Sequence, residues 1–213
     1  MSIESSLLLE ARGMCIWRGD NLLMDELDVQ VHEGSVTQIH GTNGSGKTTL
    51  LRALIGLAEF DEGDIFWKGQ SFYKVRDELY SELLYLGHKP GISSALTPLE
   101  NIKALCPELT GDCRDIVEPV LTELAIGDRI DLPSAALSAG QKRRVTLARL
   151  RLQQARLWVL DEPLTSLDTN GYDWVKQEIS AQVKRGGAVI FTTHQPLSFD
   201  DVEVQTILLG QDS

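Results

Sequence analysis

The stretch Gly41-Thr42-Asn43-Gly44-Ser45-Gly46-Lys47-Thr48 fits the pattern Gly-x-x-x-x-Gly-Lys-Ser/Thr at every position. Its flanks decide the fold. Val36 to His40 (VTQIH) has the β-branched content of a short strand. Thr49 to Leu57 (TLLRALIGL) spaces its leucines as a helix does. Strand, glycine loop and helix in that order predict an α/β protein of the phosphate-loop type.

Glycines 41, 44 and 46 let the backbone wrap closely, because no Cβ blocks unusual dihedrals. Their N–H groups and the positive end of the following helix make an anion cradle. Lys47 adds a point charge for β- and γ-phosphates, and the Thr48 hydroxyl can ligate Mg²⁺. Gly41 to Thr49, with Thr42, Asn43 and Ser45 between the glycines, is therefore expected to hold a nucleoside triphosphate with Mg²⁺.

Two strand ends downstream complete this chemistry. Leu157 to Leu160 (LWVL) is an apolar run ending on Asp161-Glu162. A carboxylate at the end of a buried strand can hold the Mg²⁺ shell, which gives Asp161 to the metal with Thr48. Glu162 is then the residue that polarises a water for attack on the γ-phosphate. Ala188 to Phe191 (AVIF) is the next parallel strand, and it leads through Thr192-Thr193 to His194. His194 thus falls at the carboxyl edge of the sheet, where α/β proteins bind ligands, in reach of a γ-phosphate. Lys47, Glu162 and His194 are the candidate catalytic set.

Composition narrows the partners. The chain has 213 residues, with 31 Asp and Glu against 20 Lys and Arg, and so lacks the basic balance of a non-specific nucleic-acid binder. Its three cysteines, Cys15, Cys106 and Cys113, have no metal-ligand spacing and suggest a reducing compartment. No secretory leader pattern opens the chain and no apolar run is long enough to span a bilayer, so a cytoplasmic protein is expected, held at a membrane only by a partner.

Residues 7–14 and 27–33 read as strands, as do 64–68 and 83–86. Thr97-Pro98-Leu99-Glu100 carries the signs of a capping box with proline at the first helical position. From there to residue 137 the chain reads as helices broken at Pro107, Gly111, Gly127 and Pro133. Ser138-Ala139-Gly140-Gln141 repeats the capping logic ahead of a helix from 140 to 153, and 168–185 reads as another helix, closed by Gly186-Gly187. Val204 to Leu209 completes the sheet.

In this order the motifs resemble the nucleotide-binding subunit of ABC transporters. Leu137-Ser138-Ala139-Gly140-Gln141 is similar to the family's LSGGQ signature, with Ala139 for the first glycine. Leu160 to Pro163 resembles its Walker B box, Ser166-Leu167-Asp168 its D-loop, and Thr193-His194 its switch histidine. The resemblance covers nearly the whole chain. It implies one nucleotide-binding domain over 1–213, with a P-loop NTPase core and antiparallel β arm at about 1–86 and 155–213 and an inserted helical subdomain at about 92–154. It also implies a homodimer in which each ATP touches the phosphate loop of one copy and the Ser138 segment of the other.

A narrower resemblance lies in Gly87-His88-Lys89-Pro90-Gly91, Leu96 to Asn101, Ser138 to Arg144 and Thr192 to Leu197. These look like the ATP-binding subunits of the haem exporters of cytochrome c maturation, the CcmA family. That resemblance implies membrane subunits CcmB, CcmC and CcmD, release of the haem-loaded chaperone CcmE, and a peripheral place on the cytoplasmic face of a bacterial inner membrane. His88 stands where ABC proteins usually carry the Q-loop glutamine; it is a metal-ligand candidate, a water-mediated contact being the other option. The adenine-stacking aromatic aligns near Trp17 and Arg18, and Trp17 has the larger stacking face. An ABC ATPase of another small exporter, or a soluble ABC ATPase, are the alternatives.

Overall fold

Hydrogen bonding sorts the strands into two sheets, one antiparallel and one built on parallel pairs. A computed structural model of the chain describes residues 6–165, 167–194, 196–202 and 204–210. The antiparallel sheet has the order β2-β1-β4-β5, from β1 (Leu7–Arg18), β2 (Asn21–His32), β4 (Glu62–Trp67) and β5 (Gln70–Ser71). The other sheet has the order β6-β7-β8-β3-β9, from β3 (Val36–Gly41), β6 (Leu83–Leu86), β7 (Leu157–Leu160), β8 (Ala188–Thr193) and β9 (Val204–Leu209). β3 runs parallel to both β8 and β9, and β7 parallel to β8. The composition explains the difference. β7 and the first five residues of β8 are buried throughout, as strands covered on both faces must be. β2 buries only scattered positions and leaves the rest to solvent.

The contacts divide the described residues into two units. One takes in the described residues of 1–85, 155–162 and 179–213; the other takes in those of 86–154 and 163–178. The first holds both sheets with α1 (Lys47–Leu54) and α2 (Phe72–Ser81). Its core joins Leu50, Leu51 and Leu54 of α1 to Val159, Ile190 and Ile39 of the parallel strands, all fully buried. Each such side chain contributes about 1.5–3 kcal/mol through burial.

The second unit holds α3 (Pro98–Leu105), α4 (Arg114–Glu123), α5 (Ala139–Leu147) and α6 (Arg149–Leu152), with single 3-10 turns at Gly127–Arg129 and Ser134–Ala136. The capping box read from Thr97 forms in full, with Glu100 N–H donating to Thr97 and Thr97 N–H donating to Glu100. The final helix, α7 (Thr169–Lys184), starts in this unit and ends in the first. Residues 163–178, which the sequence reading groups with the core, cluster with the helices instead. Within this unit Arg151 pairs with Glu178 at 2.5 Å, and the Trp174 indole N–H donates to Glu123 at 3.0 Å.

Three other readings change. β1 and β2 are each 12 residues long and continue past the expected ends to meet at Arg18 and Asn21. α2 was not anticipated; it is two short helical pieces joined across a non-helical Val75 (φ −124°, ψ 24°). The expected helix over 140–153 is interrupted at Ala148, although that residue keeps helical dihedrals. The region 98–137 holds two α-helices, and its 106–113 and 124–137 stretches turn at the glycines and prolines expected to break it.

Asn101 organises the entry to the second unit. It is 2% exposed, accepts from Ser93 N–H at 2.7 Å, and donates to the carbonyls of Ser93 and Thr97 and the Ser134 hydroxyl. Asn101→Ala leaves several buried groups unpaired, so it should destabilise the protein by about 2–4 kcal/mol, read as a lowered urea midpoint by circular dichroism. The three cysteines are free and buried. Burial pushes the Cys106 thiol up to about 11. At pH 8 the folded protein should therefore leave Cys106 unreacted with a thiol reagent, with full labelling only after denaturation.

Candidate active site

The phosphate loop opens between β3 and α1, and its backbone requires glycine. Gly44 and Gly46 have φ of 85° and 93°, in the left-handed region. A Cβ on Gly41 would lie 2.5 Å from Ser45 Oγ and 2.7 Å from the Leu209 carbonyl oxygen, so the loop closes against β9 only with glycine there. Thr42, Asn43 and Gly44 form its exposed rim, while Thr49 is half-buried behind it. Lys47 is 5% exposed, and its ammonium donates to the carbonyls of Gly41 at 2.8 Å and Thr42 at 2.9 Å. Ser45 Oγ is buried in the loop and has no hydrogen-bond partner among the described residues.

The ends of β7 and β8 meet the start of α1 at one carboxylate. Asp161 is 1% exposed and accepts from the Thr48 hydroxyl, which lies 3.0 Å from both carboxylate oxygens. Asp161 Oδ1 also accepts from the Thr192 hydroxyl at 2.8 Å. The Tyr85 phenol is pushed above its ordinary range, by burial first and by the charge of Asp161 second. Glu162 follows with φ of 49°, a left-handed conformation that costs a non-glycine residue about 1–3 kcal/mol unless its surroundings hold it. They do: its N–H donates to Thr192 Oγ1 at 2.8 Å, and its Oε1 lies 2.7 Å from His194 Nε2.

The structure thus brings Lys47, Thr48, Asp161, Glu162 and His194 together at the carboxyl ends of the parallel strands. Trp17 lies in the same unit, half exposed near the end of β1, with its N–H donating to Asp61 at 2.7 Å. The donors fit the ligands their chemistry implies. The glycine cradle, the lysine and the unpartnered Ser45 hydroxyl suit a phosphate chain. A threonine hydroxyl and one carboxylate are the hard oxygens that Mg²⁺ takes alongside substrate phosphates and water.

The remaining sequence-derived residues belong to the second unit. Ser138 caps α5, accepting from Gln141 N–H at 3.2 Å while Gln141 Oε1 accepts from Ser138 N–H at 2.9 Å. Leu137 is buried, Ala139 is exposed and Gly140 is half-buried on the first turn. Asp168 accepts from Gly171 N–H and pairs with Arg144, and those two partners, the backbone donor first, hold its carboxyl below the usual range. Leu167 is half-buried, and Ser166 lies outside the described residues. His88 is exposed in the turn after β6, and no group of three or more His, Cys, Asp or Glu side chains among the described residues could hold a metal ion.

Sequence reading missed three contributors. Arg143 donates to the Gly87 carbonyl at 2.7 Å, and the Thr146 hydroxyl donates to the Pro90 carbonyl at 2.7 Å, so α5 grips the loop that carries His88. Thr192 is the third. Its one available signal is a hydroxyl inside a strand buried on both faces.

Residues 24–165 match the ABC transporter family. The chain belongs to that family. It is 44% identical over 204 residues to the cytochrome c biogenesis ATP-binding export protein CcmA of Escherichia coli O6:H1, covering 96% of this chain and 97% of the relative. The CcmA of Escherichia coli K12 is 43% identical over the same share of both chains. A solved Pyrococcus furiosus structure described as an ABC transporter ATP-binding protein superposes with a TM-score of 0.78 at 26% identity, covering 93% of this chain and 96% of that one. An ATP-binding subunit of another ABC transporter has the same fold, with a TM-score of 0.76 at 24% identity, covering 88% of this chain and 79% of that one.

The ABC family and fold expected from the motifs are therefore confirmed, and the chain is an ATP-binding, ATP-hydrolysing transporter subunit. In this ABC ATPase Lys47→Ala removes a charge-assisted contact worth about 1.5–3 kcal/mol or more to a phosphate. ATP affinity measured by equilibrium binding should fall at least tenfold.

Proposed function

We propose that this ABC ATPase drives a membrane complex of cytochrome c maturation, in haem export or in release of the haem-loaded chaperone CcmE. The observation that carries the proposal is 44% identity to a CcmA protein along almost the full length of both chains. Its membrane subunits are then CcmB, CcmC and CcmD, and its place is the cytoplasmic face of a bacterial inner membrane. No helix among the described residues is long and apolar enough to cross a membrane, so attachment falls to those partners.

The assignment treats 1–213 as one nucleotide-binding domain and two copies as the working unit. ATP lies between them, touching Gly41 to Thr49 of one copy and Leu137 to Gln141 of the other. Leu167 and Asp168 belong to the D-loop, and Trp17 stacks on adenine. Lys47 neutralises the β- and γ-phosphates. Thr48 and Asp161 would hold Mg²⁺, which would offset charge on the phosphate oxygens. Glu162 accepts a proton from water as its oxygen bonds to the γ-phosphorus and the bond to the β-phosphate oxygen breaks. His194, 2.7 Å from Glu162, donates to the γ-phosphate and keeps the carboxylate turned toward it.

General-base catalysis contributes about 10²–10⁴ in rate. Glu162→Gln should therefore lower the turnover of the purified complex by at least a hundredfold while ATP still binds, and should trap the dimer. Unchanged turnover would remove Glu162 from the base role. Co-purification with haem-handling membrane subunits supports the maturation assignment; co-purification with an unrelated exporter would replace it.

A further inference from the structure

We propose that Thr192 is a positioning residue for ATP hydrolysis: its one hydroxyl joins the metal-side carboxylate to the backbone of the general base. The proposal rests on the assignment of Glu162 as that base. Thr192 is fully buried, in the interior of β8. Its hydroxyl donates to Asp161 Oδ1 at 2.8 Å and accepts from Glu162 N–H at 2.8 Å. A hydroxyl has one proton and two lone pairs, so these bonds fix its orientation.

The second of these bonds matters because of the backbone it restrains. Glu162 has φ of 49°, which bulky L-residues rarely adopt. With the peptide N–H held by Thr192, that dihedral turns the carboxylate out of the strand line to within 2.7 Å of His194 Nε2. His194 is itself only two residues beyond Thr192. The segment after it is returned to the sheet by Gln38, whose Oε1 accepts from Leu197 N–H at 2.9 Å while its Nε2 donates to Thr206 at 2.8 Å. One side chain of β8 thus restrains Asp161 and Glu162 together, and the histidine follows directly on the end of β8. Catalysis is steeply sensitive to such placement: an error of 1 Å can cost about a hundredfold.

The test uses the purified membrane complex with Thr192→Val, which keeps the shape and removes the hydroxyl, and Thr192→Ser, which restores it. Thr192→Ala serves if the valine protein fails to fold. The hydroxyl-free variant should lose about tenfold to a hundredfold in kcat, with KM for ATP within threefold of the parent. The serine variant should recover most of the rate. A parental kcat without the hydroxyl would overturn the proposal. So would a matching loss in the serine variant, or a fall in ATP affinity as large as the fall in kcat. Glu162→Gln run in parallel separates the two levels. If it retains turnover, the base assignment fails; if it loses turnover while Thr192→Val does not, only the role of Thr192 fails.

Discussion

A carboxylate withdrawn from water is the constraint on which the site depends. Burying an ionised group is costly unless donors replace its hydration. Asp161 receives two hydroxyl donors, from Thr48 at the start of α1 and from Thr192 in β8. The charge therefore ties the phosphate-loop helix to the ends of two parallel strands. The apolar runs of β7 and β8 make this possible, because they carry Asp161 and Thr192 side by side into the interior. The cradle, the base and the histidine are all arranged with respect to that buried charge.

Much of this was legible because the motifs lie where secondary structure changes. A glycine loop between strand and helix, and acidic or basic residues just past apolar runs, fix position as well as chemistry. The capping boxes at Thr97 and Ser138 were legible for a related reason: the partners are three residues apart, so local sequence contains the whole interaction. What stayed hidden was either long-range or irregular. Thr192 acts across 31 residues on Asp161, and Arg143 across 56 on Gly87, and no local pattern encodes such a pair. α2 is short and kinked at Val75, and the left-handed turn at Glu162 is held by tertiary contacts around it.

The helical unit is held together differently from the sheet unit. Its buried apolar side chains, such as Ile102, Val117, Leu121 and Val145, are supplemented by guanidinium groups that cross between elements. Arg151 joins Glu123 and Glu178 and lies 5.1 Å over the Trp174 ring, while Arg144 donates to the Leu124 carbonyl and pairs with Asp168. Arginine suits this work because its planar fork makes several directed bonds at once. The segment 163–178 shares these contacts with the helices, and a boundary drawn from sequence order alone misses it.

The grip of α5 on the turn after β6 is made through the main chain. Arg143 and the Thr146 hydroxyl donate to the carbonyl oxygens of Gly87 and Pro90. Every amino acid offers such an oxygen, so these two bonds are indifferent to which side chains occupy positions 88 and 89. Exchanging the exposed His88 and Lys89 therefore alters the surface of the turn while leaving both anchoring bonds in place.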